Sequence, residues 1–293
     1  MPVIDNAQPL FRDLFTAEAV AARGGRLAAG MFLCSGDATT AEICAGAGMD
    51  YLLIDAEHAP LTLADILAQL RTIAGYRVPT MVRVPALDPV AIKQFLDLGA
   101  QTLIVPMVDD AEMAAAAVAA ARYPGAAGER PGIRGVGSAL ARSGRWNRIG
   151  GYLKDGDCHV GVMVQIETAK GVENAAEIAA TDGVDGVFIG PSDLSASMGL
   201  LGQQSHPDVV AAVEQTIGAV KAAGKIVGVN AFVKAQAEAY AAAGADYVNV
   251  GADVAILARG AEALADTWCP AVEGGTGDGG SGEGGADGER ASY

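Results

Sequence analysis

The chain alternates short, continuously apolar runs with longer alanine-rich stretches. Eight runs read as β-strands: Ala28–Leu33, Tyr51–Asp55, Thr80–Val84, Thr102–Pro106, Val160–Ile166, Gly186–Ile189, Ile226–Val229 and Tyr247–Val250. Their apolar residues are consecutive instead of alternating, which is the pattern of strands covered on both faces. The stretches between them read as helices, among them Thr40–Gly48, Leu63–Ala74, Pro89–Leu98, Ala111–Ala121, Pro207–Ala223 and Lys234–Ala243. Several finish at a glycine where a left-handed C-cap is expected: Gly48, Gly75, Gly99, Gly224 and Gly244. Repeated strand–helix alternation builds a parallel sheet, and eight units is the number that closes a (β/α)8 TIM barrel. A doubly wound open sheet is the alternative, but no G-x-G-x-x-G follows the first strand. One barrel domain over residues 1–272 is the expectation.

Composition agrees with a large buried core: 293 residues, 51% hydrophobic, exclude global disorder. The last 21 residues, 273–293, depart from this, with nine glycines, five acids and one base, and read as a disordered acidic tail. A net charge of −15 argues against binding nucleic acid or an anionic membrane. Cys34, Cys44, Cys158 and Cys269 show no C-x-x-C spacing and read as reduced thiols. With no basic-flanked leader and no 18-residue apolar segment, the expected location is the cytoplasm and no membrane partner is expected.

In such barrels the chemistry sits at the C-terminal strand ends. There the second strand runs into Asp55, Glu57 and His58, and the third ends near Arg83. Strand five carries Gln165 and then Glu167, which a period of two points to one side. Asp193 follows strand six through the turn Gly190-Pro191-Ser192, where Ser192 and Asp193 supply the available amide donors for a substrate carboxylate. Each has a plainer reading: Asp193 can cap Leu194–Met198, Glu167 and Arg83 can be ion-pair partners, and His58 can order its loop. Together, several ionisable groups at the end of a dry barrel cost several kcal/mol unless they pair or bind something. Glu167 and Asp193 offer two hard oxygen ligands, which suits Mg²⁺ or Mn²⁺ better than structural zinc. His159 and His206 fall in loop-like sequence.

The stretches IDAEHAP, VRVPALDPVAIKQFLDLGAQTLIVPMV, RGVGSALARSGRWNRI, VQIET and DGVFIGPSDLS resemble the metal-dependent class II pyruvate aldolases, in the 4-hydroxy-2-oxoheptanedioate aldolase branch, over about residues 26–268. The resemblance implies a (β/α)8 barrel, a homo-hexamer built as a trimer of dimers with an exchanged C-terminal helix, and a divalent metal (Mg²⁺, Mn²⁺ or Co²⁺) held by Glu167 and Asp193. It implies His58 as catalytic histidine, Asp97 as the acid that raises its basicity, and Arg83 as the group that stabilises the enolate oxygen. Gln165, Gly190, Ser192 and Asp193 fall in the substrate-binding stretches, while the individual parts of Asp55 and Glu57 stay open. Two stretches near the mouth depart from the pattern: PGAAGERPGIRG is longer, and AFVKAQ after strand seven is less polar.

The chemistry follows from the residue types. Breaking the C3–C4 bond of a 4-hydroxy-2-oxo acid leaves pyruvate enolate, which a divalent ion and Arg83 can stabilise. A base near neutral pH, His58, removes the 4-hydroxyl proton. A Schiff-base lysine is the other route, with Lys170 the one candidate; no nucleotide cofactor is called for. The expected partners are a small 2-oxo acid and an aldehyde, with succinate semialdehyde implied by the resemblance. The rivals are tartronate semialdehyde from a 2-dehydro-3-deoxyglucarate-type substrate, a citryl- or malyl-CoA lyase, a carbon–phosphorus mutase, and an inactive barrel acting as a binding protein. SALARSGRWNRI, which holds Arg142, Arg145 and Arg148, reads as an amphipathic loop–helix element.

Overall fold

Eight parallel strands close on one another in chain order: β1 (Ala28–Leu33), β2 (Tyr51–Asp55), β3 (Thr80–Arg83), β4 (Thr102–Val105), β5 (Gly161–Ile166), β6 (Gly186–Ile189), β7 (Ile226–Asn230) and β8 (Tyr247–Ala252). The coordinates are a computed structural model that describes residues 9–125 and 131–269. β8 returns to pair with β1, Ala28 opposite Tyr247, so the sheet has no free edge. Every expected strand is present with its ends within two residues, and the (β/α)8 reading holds over the open sheet. The tail at 273–293 and residues 126–130 of the long insertion lie outside the described residues.

The strand residues sort into two shells because successive side chains point to opposite faces. Leu52, Ile54, Val82, Leu103, Val105, Val162, Val164, Val187 and Val227 face outward and pack under the helices. Leu53, Met81, Ile104, Met163 and Phe188 face inward and fill the barrel with Tyr51 and Tyr247. Both tyrosine rings are completely buried, and they fit because β1 and β7 carry glycine opposite them. A Cβ on Gly30 would meet the Tyr51 ring at 2.4 Å, and one on Gly228 would meet the Tyr247 ring at 2.3 Å. The N-terminal end is closed by Phe11 on a short 3-10 helix (Phe11–Phe15), whose ring packs edge-on against Tyr51 at 5.1 Å and Tyr247 at 4.9 Å. With that end plugged, the mouth at the C-terminal strand ends is where a small molecule can enter.

Two local expectations are corrected. Gly99, Gly224 and Gly244 take the left-handed C-cap conformation, but Gly75 and Gly48 do not serve as such caps: the helix Leu63–Ile73 ends in a right-handed turn that any residue can adopt, and the helix Ala38–Ala45 is capped by the right-handed Gly46, with Gly48 left-handed two residues beyond. SALARSGRWNRI forms no helix. It is a succession of turns in which Arg145, Trp146 and Asn147 are all left-handed, held by main-chain bonds such as Trp146 N–H to Ala141 carbonyl. His159 is half-buried and stacks on Tyr152, and His206 caps the helix Pro207–Ala222 by accepting from the Asp208 amide.

Candidate active site

Arg83 is the last residue of β3, and its register partner on β2 is Asp55. Both side chains point inward and are buried, so the two groups need one another. They meet as a fork: Arg83 Nε donates to Asp55 Oδ1 at 2.9 Å and Nη2 to Oδ2 at 2.8 Å. Asp55 Oδ1 also accepts the amides of Glu57 and His58, which folds the Asp-Ala-Glu-His segment into a tight turn over the mouth. Burial pushes the Asp55 carboxyl up, but the Arg83 fork and these amides outweigh it and hold the group below its ordinary value. The residue left open in the sequence reading is thus the anchor of both the arginine and the turn.

From Arg83 a polar chain runs across the mouth. Its Nη1 donates to Gln165 Oε1 on β5 at 3.4 Å, and the Gln165 amide donates to Glu167. The other Glu167 oxygen accepts the Met107 amide at 2.8 Å. Met107 is a non-glycine residue in the left-handed region, φ 55°, a costly conformation that aims its N–H at the carboxylate. No signal of residue type singles it out. Between β5 and β7 the strand end is Gly190, where a Cβ would lie 2.8 Å from Glu167 Oε2 and 3.1 Å from Gln165 Nε2. A bare glycine there leaves the acid and the amide room to cross the end of β6.

The site carries concentrated, unneutralised acid. Burial pushes Glu167 up to about 7, reinforced by the charges of Glu57 and Asp193 and opposed by the bonds from Gln165 and Met107. Burial also pushes Glu57 up to about 7; Arg83 opposes this, while Asp55 and Asp193 add to it. Glu57 Oε2 lies 3.2 Å from Arg83 Nε yet is buried without a hydrogen-bond partner. Three carboxyl groups that feel one another, with the orphaned oxygen of Glu57 among them, are the donor chemistry that a hard cation takes. Among the described residues no three acid, histidine or cysteine side chains are gathered closely enough to form a complete ligand set. Asp193 is the third residue of the helix Pro191–Ser197, which Gly190 caps. The Ser192 and Asp193 amides therefore lie in its first turn, where backbone donors have no intrahelical partner.

His58 is exposed at the rim, its Nε2 3.8 Å from Glu57 Oε2. Asp97 is not beside it. Asp97 ends the helix Pro89–Asp97, which starts at the mouth and runs back toward the N-terminal end over roughly 12 Å at about 1.5 Å per residue. There its carboxylate pairs with the buried Arg134 at 3.1 Å. Within one chain these two candidates are not brought together. Two aromatic walls escaped the sequence reading: Phe32 of β1, its ring centroid 5.0 Å from the Arg83 guanidinium carbon, and Phe232 against Phe32 at 6.4 Å.

A closed parallel barrel with buried acids, an anchored arginine and a rim histidine at its mouth defines an enzyme of the TIM-barrel class. Residues 28–259 match the HpcH/HpaI aldolase/citrate lyase family, and the chain belongs to that family and is a lyase. It is 52% identical over 245 residues to the 4-hydroxy-2-oxo-heptane-1,7-dioate aldolase of Salmonella dublin, covering 84% of this chain and 91% of that one. Among solved structures it resembles an HpcH/HpaI family protein from Burkholderia cenocepacia J2315, with TM-score 0.78, 41% identity, and 83% of this chain and 95% of that one covered. It also resembles the HpcH/HpaI aldolase from Desulfitobacterium hafniense DCB-2, with TM-score 0.74, 29% identity, and 85% and 96% covered.

Proposed function

We propose that this chain cleaves 4-hydroxy-2-oxo acids between C3 and C4 to pyruvate and an aldehyde, with 4-hydroxy-2-oxoheptanedioate as substrate and succinate semialdehyde as the second product. The observation that carries the reading is the hydrogen-bonded chain Asp55–Arg83–Gln165–Glu167, which ties the ends of three strands into one polar mouth. The substrate follows the relatives' activity, because the similarity runs through all the stretches that build this mouth. Arg83, fixed by Asp55, sets a planar positive charge where the 2-oxo oxygen becomes an enolate, and Gln165 orients the same end of the substrate. A divalent cation such as Mg²⁺, Mn²⁺ or Co²⁺, held by Glu167 and Asp193, supplies Lewis-acid polarisation of the 2-oxo acid. The Ser192 amide binds the substrate carboxylate. His58, exposed beside Glu57, takes the 4-hydroxyl proton, and C3 is reprotonated once the aldehyde leaves. No lysine is needed as nucleophile: Lys170 is exposed and paired with Asp110, which holds its ammonium above its ordinary value, the wrong direction for imine formation.

The enzyme acts as a homo-oligomer, a hexamer by resemblance. The last helix, Asp253–Trp268, leaves Leu257 70% and Trp268 78% exposed, together with Ile256 and Leu264, an apolar stripe that a second copy covers. Any pairing of Asp97 with His58 is open only between copies.

The test is pyruvate release from 4-hydroxy-2-oxoheptanedioate. It should be abolished by EDTA, restored by Mg²⁺ or Mn²⁺, and independent of coenzyme A. Metal-independent release, or a need for coenzyme A, defeats the reading. A higher kcat/KM for the substrate that yields tartronate semialdehyde would reassign the aldehyde. His58→Ala should abolish cleavage while exchange of the pyruvate C3 protons for deuterium responds differently, since exchange needs no base at the 4-hydroxyl.

A further inference from the structure

At the end of the barrel opposite the mouth a recess of about 690 Å³ opens to solvent, between the starts of β3 and β4 and the turns of the SALARSGRWNRI stretch. Arg142, Ser143, Arg145, Gln101, Tyr152 and His159 supply most of its polar lining, and among the described residues no acidic side chain lines it. In a chain with 35 acids against 20 bases, a recess lined by two arginines and no acid is unusual. The proposed aldol chemistry uses none of these residues.

Arg142 is held there without a counter-charge. Its Nη1 donates to the Leu98 carbonyl at 3.2 Å and its Nη2 to the Leu70 carbonyl at 3.3 Å, at the C-terminal ends of the helices Pro89–Asp97 and Leu63–Ile73. Those helix ends supply partial negative charge, about half a unit each, and the two bonds leave donors of the guanidinium over for the recess. Gly99 makes room for it, since a Cβ there would collide with Arg142 Nη1. Arg12, Arg26, Arg83 and Arg134 each meet an acid, whereas Arg142 meets none among the described residues. Burial, reinforced by the charges of Arg145 and Arg71, pulls its guanidinium down to about 10. The next residue is unmet as well. Ser143 Oγ is buried without a hydrogen-bond partner, although its amide is fixed to the Asp97 carbonyl at 3.3 Å. A buried unpaired hydroxyl is costly, and that cost is expected where a ligand supplies the missing bond. An uncompensated cation and an unpaired hydroxyl on consecutive residues call for the same occupant, an anion with several acceptor oxygens.

We propose that this recess is an oxyanion site that takes a phosphate group, free or carried by a small monoester, gripped by the Arg142 and Arg145 guanidinium groups and the Ser143 hydroxyl. A planar guanidinium donates to two phosphate oxygens at once, and the serine hydroxyl donates to a third. The Tyr152 and His159 rings, stacked with centroids 5.8 Å apart, form the wall against which the organic part of a monoester lies. The bound group ties the turns of residues 138–149 to the ends of two helices, so occupancy stabilises the folded chain. The site lies at the far end of the barrel from Arg83 and stands independently of the aldolase reading.

The experiment titrates inorganic phosphate calorimetrically into the full-length protein in EDTA, at about pH 8, where phosphate is dianionic, with ionic strength held constant by chloride. The expected result is one phosphate per chain and a melting temperature that rises with phosphate. Ser143→Ala removes a hydroxyl that has no partner, so it should keep the wild-type melting temperature and weaken phosphate binding about tenfold. Arg142→Met should weaken it at least as much; should that variant not fold, Ser143→Ala decides alone. Arg83→Met, at the mouth, should leave the affinity within about twofold of the wild type. Absence of binding to the wild type, or an unweakened affinity in either folded recess variant, overturns the site. A loss on Arg83→Met alone also overturns it, because the phosphate would then sit in the mouth. Repeating the titration with glycerol 3-phosphate separates the two sources: tighter binding assigns the site to a monoester, weaker binding to free phosphate. Pyruvate release plays no part in these readings, so their failure leaves the aldolase reading in place.

Discussion

Asp55 and Arg83 are register partners on adjacent strands, and their side chains meet as parallel forks with 2.9 Å and 2.8 Å bonds in the buried mouth of the barrel. The guanidinium is thus fixed at two of its nitrogens before any substrate arrives, with Phe32 beside it. The carboxylate that forks the cation also holds the turn that presents His58.

Asp55→Asn should therefore lower both stability and activity. It removes the charge of the fork and leaves Glu57, 3.2 Å from Nε, as the acid beside a buried arginine, which should cost about 1–3 kcal/mol, and it frees the guanidinium to turn. Chemical denaturation and pyruvate release on the same preparation check this. A stable variant with wild-type turnover would show that the fork has no part in the chemistry.

Arg83→Lys should retain the charge and lose activity by roughly 10²–10³ in kcat, the typical worth of one transition-state donor of about 2.7–4 kcal/mol. Lysine is a point donor and cannot keep both Asp55 bonds and the reach to Gln165. A loss smaller than about fivefold would make Arg83 a structural ion-pair partner only.

Glu57 and Glu167, each raised from 4.5 to about 7, make the metal-free protein pH-sensitive in a defined direction. Between those values the folded protein keeps protons that the unfolded chain has lost, so stability falls as pH rises from about 4.5 to about 7. Melting temperatures without metal should follow this slope, and Glu167→Gln should flatten it. Because a bound cation requires the deprotonated acids, Mn²⁺ affinity measured by titration should climb through the same window with release of protons, and Glu167→Gln should weaken it. A rising melting temperature across that window would contradict the raised values.

If a second copy covers the stripe on the helix Asp253–Trp268 as proposed, replacing Leu257 and Leu264 together by aspartate should give smaller species, because two charges would be placed in that apolar stripe. Light scattering after size-exclusion chromatography reads the result. An unchanged particle mass would show that this stripe is not buried between copies.

The barrel was legible in the chain, because strands covered on both faces are largely apolar, and eight such runs separated by alanine-rich helices favour closure over an open sheet. The sequence also determined which ends are chemical. Asp55, Glu57, Arg83, Gln165, Glu167 and Asp193 all lie at or just beyond the C-terminal ends of strands, and a residue's place along a strand is read directly from its number. What only the tertiary structure decided is what these groups do to one another. Asp55 became the partner of Arg83 through the register of β2 against β3, a pairing between residues 28 apart that no local pattern encodes. Asp97, the last of the nine residues of its helix, is carried to the far end of the barrel and to Arg134. Met107 aims its amide at Glu167 through a left-handed backbone that its residue type does not announce. Periodicity records which face a side chain takes, since that is fixed within one strand; partners across strands depend on register and closure, which are properties of the assembled sheet.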